Sequence, residues 1–105
     1  MKPARKEFDR FPLQVRQRIA RALDVAAFGQ KADIAKPMRG IGIGVTEIAL
    51  PYSGDAYRAV YAAQLGDAIY VIDAFKKKSK RGIKTPRQDV DRIKARLKLL
   101  KEQMR

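Results

Sequence analysis

The sequence predicts an α+β domain in which N- and C-terminal helices are laid on one face of a small antiparallel β-sheet, and three observations predict it. Apolar residues recur at helical spacing as Val15, Ile19, Ala22, Leu23 and Ala26, and again as Val90, Ile93, Leu97, Leu100 and Met104. Between these stripes, residues 56–65 and 68–75 are rich in Tyr, Val, Ile and Phe, the types that fit a pleated, half-buried surface, and residues 45–50 are strand-like. The order helix, connector, strands, basic loop, helix then gives helices packed on a three-stranded meander. At 105 residues the whole chain, 1–105, is a single domain with room for one core.

Taken in order, Pro12 reads as a first-turn proline opening an amphipathic helix that ends near Gly29, with a short preceding turn of helix holding Phe8 and Phe11. Arg16, Arg18 and Arg21 occupy its polar side, and its apolar stripe belongs to the core. Residues 30–44 form a connector with Pro37 and glycines at 40, 42 and 44. Those glycines superficially resemble a dinucleotide fingerprint, but that motif follows a strand and opens a helix, whereas this run leads into a strand, so a bend or bulge is expected. Pro51, Ser53, Gly54 and Asp55 mark a turn, and Gly66-Asp67 suits a two-residue hairpin. Thr85, Pro86 and Gln88 place an N-cap, a first helical proline and a capping-box partner at the start of the last helix, whose basic side, Arg92, Lys94, Arg96, Lys98 and Lys101, should face water.

Charge is distributed unevenly. The chain carries 24 Lys+Arg against 11 Asp+Glu, a formal +13, and +10 of it falls from Lys76 onward. That asymmetry points to a polyanionic partner, nucleic acid before an acidic protein. The absence of Cys excludes disulfides and thiolate chemistry and fits a reducing compartment; the absence of His removes the commonest metal ligand and the usual general base near neutral pH. No apolar run approaches the ~20 residues of a membrane span and the first residues lack a signal peptide's apolar core, so a cytoplasmic protein with no membrane partner is expected.

Two features concentrate the functional expectation. Lys76, Lys77, Lys78, Lys80, Arg81 and Lys84 follow the last predicted strand with no acid among them, a lysine-rich loop at the edge of a rigid sheet. Arg58 is a long cation in the middle of an apolar strand. Its structural reading is a snorkelling edge residue or an ion pair with Glu47 or Asp73. Strand alternation sets Tyr57, Ala59, Tyr61 and Ala63 on one face and Arg58, Val60, Ala62 and Gln64 on the other. Phe75 and Tyr57 could stack bases or fill the core.

The segments FPLQVRQRIARAL, AKPMRGIG, DAYRAVYAAQLGDAIYVIDAFKKKSKRGIKTP and VDRIKARLKLL resemble the phage-derived HigB-like proteins, toxins of the RelE/ParE superfamily. The resemblance covers nearly the whole chain, and YRAVY followed by AFKKKSKRGIKTP is its most diagnostic part. It implies a RelE-like fold and the toxin of a type II toxin–antitoxin pair: a ribosome-dependent endoribonuclease that cuts mRNA during translation without metal or cofactor. A cognate helix-turn-helix antitoxin would hold it inactive. The RelE-like pattern puts an arginine on the central strand, here Arg58, and basic residues at the end of the next, here Lys77 with Lys76 and Lys78 beside it. Lys80, Arg81 and Lys84 extend the expected RNA-binding surface. The lysines of RelE's first sheet strand correspond to Glu47 and Ala49, and its late tyrosine has no match, since no Tyr follows Tyr70. For the proton acceptor Glu47, Tyr57, Tyr61, Lys77 and the arginines remain open. Two other functions stay in view: a ParE-like inhibitor of DNA gyrase, which cuts nothing, and a non-catalytic nucleic-acid-binding module.

Overall fold

The protein is described by a computed structural model that covers residues 2–42, 44–65, 68–78 and 87–103. It is an α+β domain of the expected class, consistent with a RelE-like fold: α1 (Lys2–Phe8), α2 (Leu13–Ala27), four strands, then α3 (Arg87–Gln103). The strands β1 (Ala35–Pro37), β2 (Val45–Tyr52), β3 (Asp55–Leu65) and β4 (Ala68–Lys78) are antiparallel and lie in the order β1-β2-β3-β4.

Local chemistry explains most of the boundaries. Pro12 is the N-cap of α2 rather than its first helical residue, and its carbonyl accepts the Arg16 N–H at 2.9 Å. At the other end Gln30 N–H donates to the Val25 carbonyl and Gly29 N–H to that of Ala26, a Schellman-type stop. The β2–β3 turn is two residues, Ser53 (φ 51°) and Gly54 (φ 82°), the double positive φ that matches the right-handed twist of a hairpin. Gly54 takes that conformation without strain. Pro51 is accommodated inside β2 because β1 pairs only with Thr46–Ile48, so beyond Ala49 the outer edge of β2 asks for no further amide donor. As expected, the glycine run at 40–44 leads into a strand.

Three further expectations are corrected. β1, too short and too polar to register as a strand in the sequence, adds a fourth member to the predicted meander. Strand β4 continues through Lys78, so Lys76, Lys77 and Lys78 are strand residues rather than the start of a loop. The helices do not share one face. Phe11, Val15 and Ile19 pack with Ile48, Leu50, Tyr57, Ala59 and Tyr61. Ile93, Leu97 and Leu100 of α3 pack with Val45, Val60, Ala62 and Ile72, the alternate residues of the same strands. The sheet is therefore a middle layer, with α1 and α2 on one side and α3 on the other. The expected Gly66-Asp67 hairpin and the Thr85–Pro86 helix start lie outside the described residues.

A bulge tunes the α3 face. Val60 pairs with Asp73 and Tyr61 with Val71, leaving Ile72 as an extra residue on β4. Ile72 joins the apolar cluster under α3 while Asp73, next to it, is only 2 % exposed and meets that helix through ion pairs.

Candidate nucleic-acid interface

The register of β3 and β4 decides which candidate residues meet. Arg58 lies opposite Phe75 and Ala56 opposite Lys77, so Lys77 is one same-face step along β4 from the residue facing Arg58. Diagonal neighbours of this kind are within reach of long side chains. By the same alternation Arg58, Glu47, Asp73, Phe75 and Lys77 all belong to the face beneath α3. Tyr57 and Tyr61 belong to the opposite face, where Tyr57 packs edge-on against Phe11 at a centroid distance of 4.9 Å and both tyrosines are core. Phe75 is also buried, within the cluster under α3.

Arg58 is 6 % exposed. Its Nη1 donates to Glu47 Oε1 at 2.9 Å, which is one of the two ion pairs expected from the sequence; β2 and β3 hold the two groups near one another through the Ala49–Arg58 and Glu47–Val60 pairings. The other expected partner, Asp73, is taken by α3. Arg92 donates to Asp73 Oδ2 from Nε at 2.9 Å and lies 2.8 Å from it through Nη2, while Arg96 Nη1 donates to Oδ1 at 2.8 Å and to the Ile72 carbonyl at 3.1 Å. The Ala74 N–H, at 2.9 Å, adds a further donor to Oδ1. A buried carboxylate is tolerable only with such saturation.

Arg92 links this hub to a second one. Its Nη2 lies 2.7 Å from Asp89 Oδ1, and its guanidinium carbon sits 5.5 Å from the centre of the Phe75 ring, a cation–π contact. Asp89 Oδ2 lies 3.2 Å from Lys77 Nζ. Burial alone would lower the Arg92 pKa, but hydrogen bonds to Asp73 and Asp89 and the attraction of both carboxylates outweigh it and hold the group above its ordinary value. A raised pKa means that this contribution is fully present below the ordinary arginine value and is lost only above the raised one. Arg92 therefore adds no pH dependence near neutrality.

The sequence had placed Arg92 and Arg96 on the water-facing side of the last helix. They instead border the apolar stripe and turn onto the sheet, whereas Lys94, Lys98 and Lys101 are exposed as expected. A signal was present: Asp89, Arg92 and Arg96 are spaced three and four apart alongside Ile93, Leu97 and Leu100. Lys76 is exposed, 4.0 Å from Asp55 Oδ2. Lys78 ends β4, and Lys80, Arg81 and Lys84 lie outside the described residues. No group of three or more metal-ligating side chains occurs among the described residues, and no described helix is long and apolar enough to cross a membrane.

Fold and site together define a small α+β protein whose central sheet is joined to its last helix by a chain of ion pairs and carries a basic strand end. The chain belongs to the phage-derived Gp49-like family (DUF891), whose model matches residues 6–98, a family compatible with a toxin-like role. No curated protein and no solved structure matches it.

Proposed function

We propose that this protein is the HigB-like toxin of a type II toxin–antitoxin pair, a ribosome-dependent endoribonuclease that cuts mRNA. The observation that carries the reading is the β3–β4 register, which sets Arg58 and Lys77 on one face at neighbouring positions with Lys76 and Lys78 at the same strand end. Membership of a toxin-compatible family and the +10 charge balance after Phe75 support it.

Cleavage would proceed by attack of a ribose 2′-OH on the adjacent phosphorus. The hydroxyl proton passes to an acceptor, the P–O5′ bond breaks, and the departing oxygen takes a proton, leaving a 2′,3′-cyclic phosphate and a 5′-OH. Lys77, 30 % exposed at its side chain, contacts the phosphate and, with the charge of Arg58 behind it, offsets the negative charge of the phosphorane. Tyr57 and Tyr61 lie across the sheet from this pair. Glu47, oriented by Arg58 and more exposed than it, is the proton acceptor on the same face. Lys76 and Lys78, with Lys80, Arg81 and Lys84, supply sequence-independent phosphate contacts. The partners are mRNA on the ribosome and a helix-turn-helix antitoxin bearing acidic groups that match the basic strand end.

A second reading has its own observation. Arg58 is buried and ion-paired, as a purely structural arginine would be, and a ParE-like gyrase inhibitor would need no catalytic role for it. Induction from a tight promoter separates the two. The nuclease reading expects new mRNA 5′ ends within translated regions and a halt in translation, both suppressed by the neighbouring antitoxin gene. Intact mRNA with blocked replication and altered supercoiling would replace it with the gyrase reading.

A further inference from the structure

The ion pairs beneath α3 form a chain with a direction. It starts on β4 at Asp73, crosses to α3 through Arg92, passes to Asp89 in the first turn of that helix, and returns to β4 at Lys77. Asp89 is 2 % exposed, and its two oxygens are divided: Oδ1 is held by Arg92 at 2.7 Å, and Oδ2 receives no hydrogen bond among the described residues, its balancing charge being the Lys77 ammonium at 3.2 Å. A lysine side chain left alone samples many rotamers, and restricting them costs entropy. A buried carboxylate that is itself fixed can select one of them. An ammonium carries three donors; Asp89 engages one side of it, and the side chain keeps 30 % of its surface open.

We infer that Asp89 is a positioning residue for Lys77, holding its ammonium on the α3 face at the place where an RNA phosphate is bound. This inference rests on the proposed nuclease reading for its consequence in cutting, and on geometry alone for the placement of Lys77. Asp89 leaves room for the phosphate, because it is buried under α3 while the Lys77 side chain that it holds keeps 30 % of its surface open. Its role is to keep one cation in register with the strand instead of leaving it mobile at a sheet edge.

Asp89→Asn isolates the link. The amide oxygen can still accept from Arg92, but its NH2 then faces the Lys77 ammonium, two donors against each other. In single-turnover cleavage of mRNA on stalled ribosomes, Asp89→Asn should cut about 10- to 100-fold more slowly, the usual cost of misplacing a reacting group. The ribosome concentration giving half the maximal rate should stay within about twofold, because the other lysines are untouched. Asp89→Glu should recover part of the rate. Lys77→Ala combined with Asp89→Asn should be no slower than Lys77→Ala alone, the non-additivity of two residues acting as one unit. A folded Asp89→Asn protein that cuts at the parental rate, or a double variant slower than Lys77→Ala, overturns the inference.

A second measurement needs neither cutting nor a folded variant. In the parent protein the Lys77 amino group, once it has given its proton to solvent, should be acylated by a small amine-reactive reagent at least about tenfold more slowly than that of Lys76, which is exposed and lies 4.0 Å from Asp55. Equal reactivity of the two overturns the placement of Lys77 whatever the activity. A parent that cuts no mRNA but protects Lys77 removes the nuclease reading and the catalytic consequence, and leaves the ion pair standing.

Discussion

Beneath α1 and α2 the sheet presents Ile48, Leu50, Tyr57, Ala59 and Tyr61; beneath α3 the alternate residues of the same strands present Glu47, Arg58, Val60, Asp73 and Phe75. All three buried charged residues among those described, Arg58, Asp73 and Asp89, are on the α3 side. The first face is held by contact area, worth roughly 25 cal/mol per Å² of apolar surface removed from water. The second adds ion pairs whose attraction must first offset the cost of taking charges out of water, so a well-packed apolar replacement would often be as stable or more so. The charges under α3 are therefore not explained by folding stability alone. A site that must hold cations still at a sheet face would explain them.

Removing the carboxylate at the hub of the α3 face should give the largest effect. Asp73→Ala leaves Arg92 and Arg96 facing the sheet without their shared carboxylate, and urea denaturation should show a loss of about 3–5 kcal/mol, the usual cost of removing one partner of a buried pair. A loss below about 1 kcal/mol would mean that α3 is held by Ile93, Leu97 and Leu100 alone.

Replacing both members of the other pair should separate stability from cutting. Glu47→Leu with Arg58→Met turns a buried ion pair into apolar contacts, and stability should stay within about 1 kcal/mol of the parent or rise above it. Cutting on ribosomes should nevertheless fall by ~10²–10³, the typical cost of losing a preorganised charge at the transition state. Recovery of both stability and cutting would reduce the α3 face to an architectural feature.

The apolar face supplies the matched control. Tyr61→Phe removes one hydroxyl from a core side chain and should cost about 1 kcal/mol or less in stability, with cutting within about twofold of the parent. A large loss of cutting in a folded Tyr61→Phe protein would move the site to the wrong side of the sheet. Smallest of all, Arg5→Ala breaks the exposed 3.4 Å pair between α1 and Asp9 just past its end and should shift stability by less than about 0.5 kcal/mol.

Much of this architecture is legible before any coordinates. The stripes of α2 and α3 and the runs that become β2, β3 and β4 have the right periods, and the alternation of β3 correctly separates Tyr57 and Tyr61 from Arg58. β1 escapes because Ala35-Lys36-Pro37 has no strand composition; its pairing with Thr46–Ile48 is what makes it a strand. The strand character of Lys76 and Lys77 is hidden by their charge, since tertiary pairing with Tyr57 and Ala56 overrides a weak local preference. At the candidate site, Arg58 and its carboxylate partner could be named, whereas Arg92 and Arg96 could not. A helix period shows which residues flank an apolar stripe, but the stripe alone does not say that a buried aspartate waits opposite. Asp73 faces α3 through the bulge at Ile72, and no glycine marks that bulge in the sequence.

The central claim is that RNA is cut on the face beneath α3, with Lys77 at the phosphate. Its most direct test is Lys77→Ala, assayed by single-turnover cleavage of mRNA on stalled ribosomes beside the parent, with circular dichroism and antitoxin affinity measured on the same preparations. The account predicts a folded, antitoxin-binding protein whose cleavage rate is lower by ~10²–10³. A folded Lys77→Ala protein that cuts as fast as the parent would contradict it.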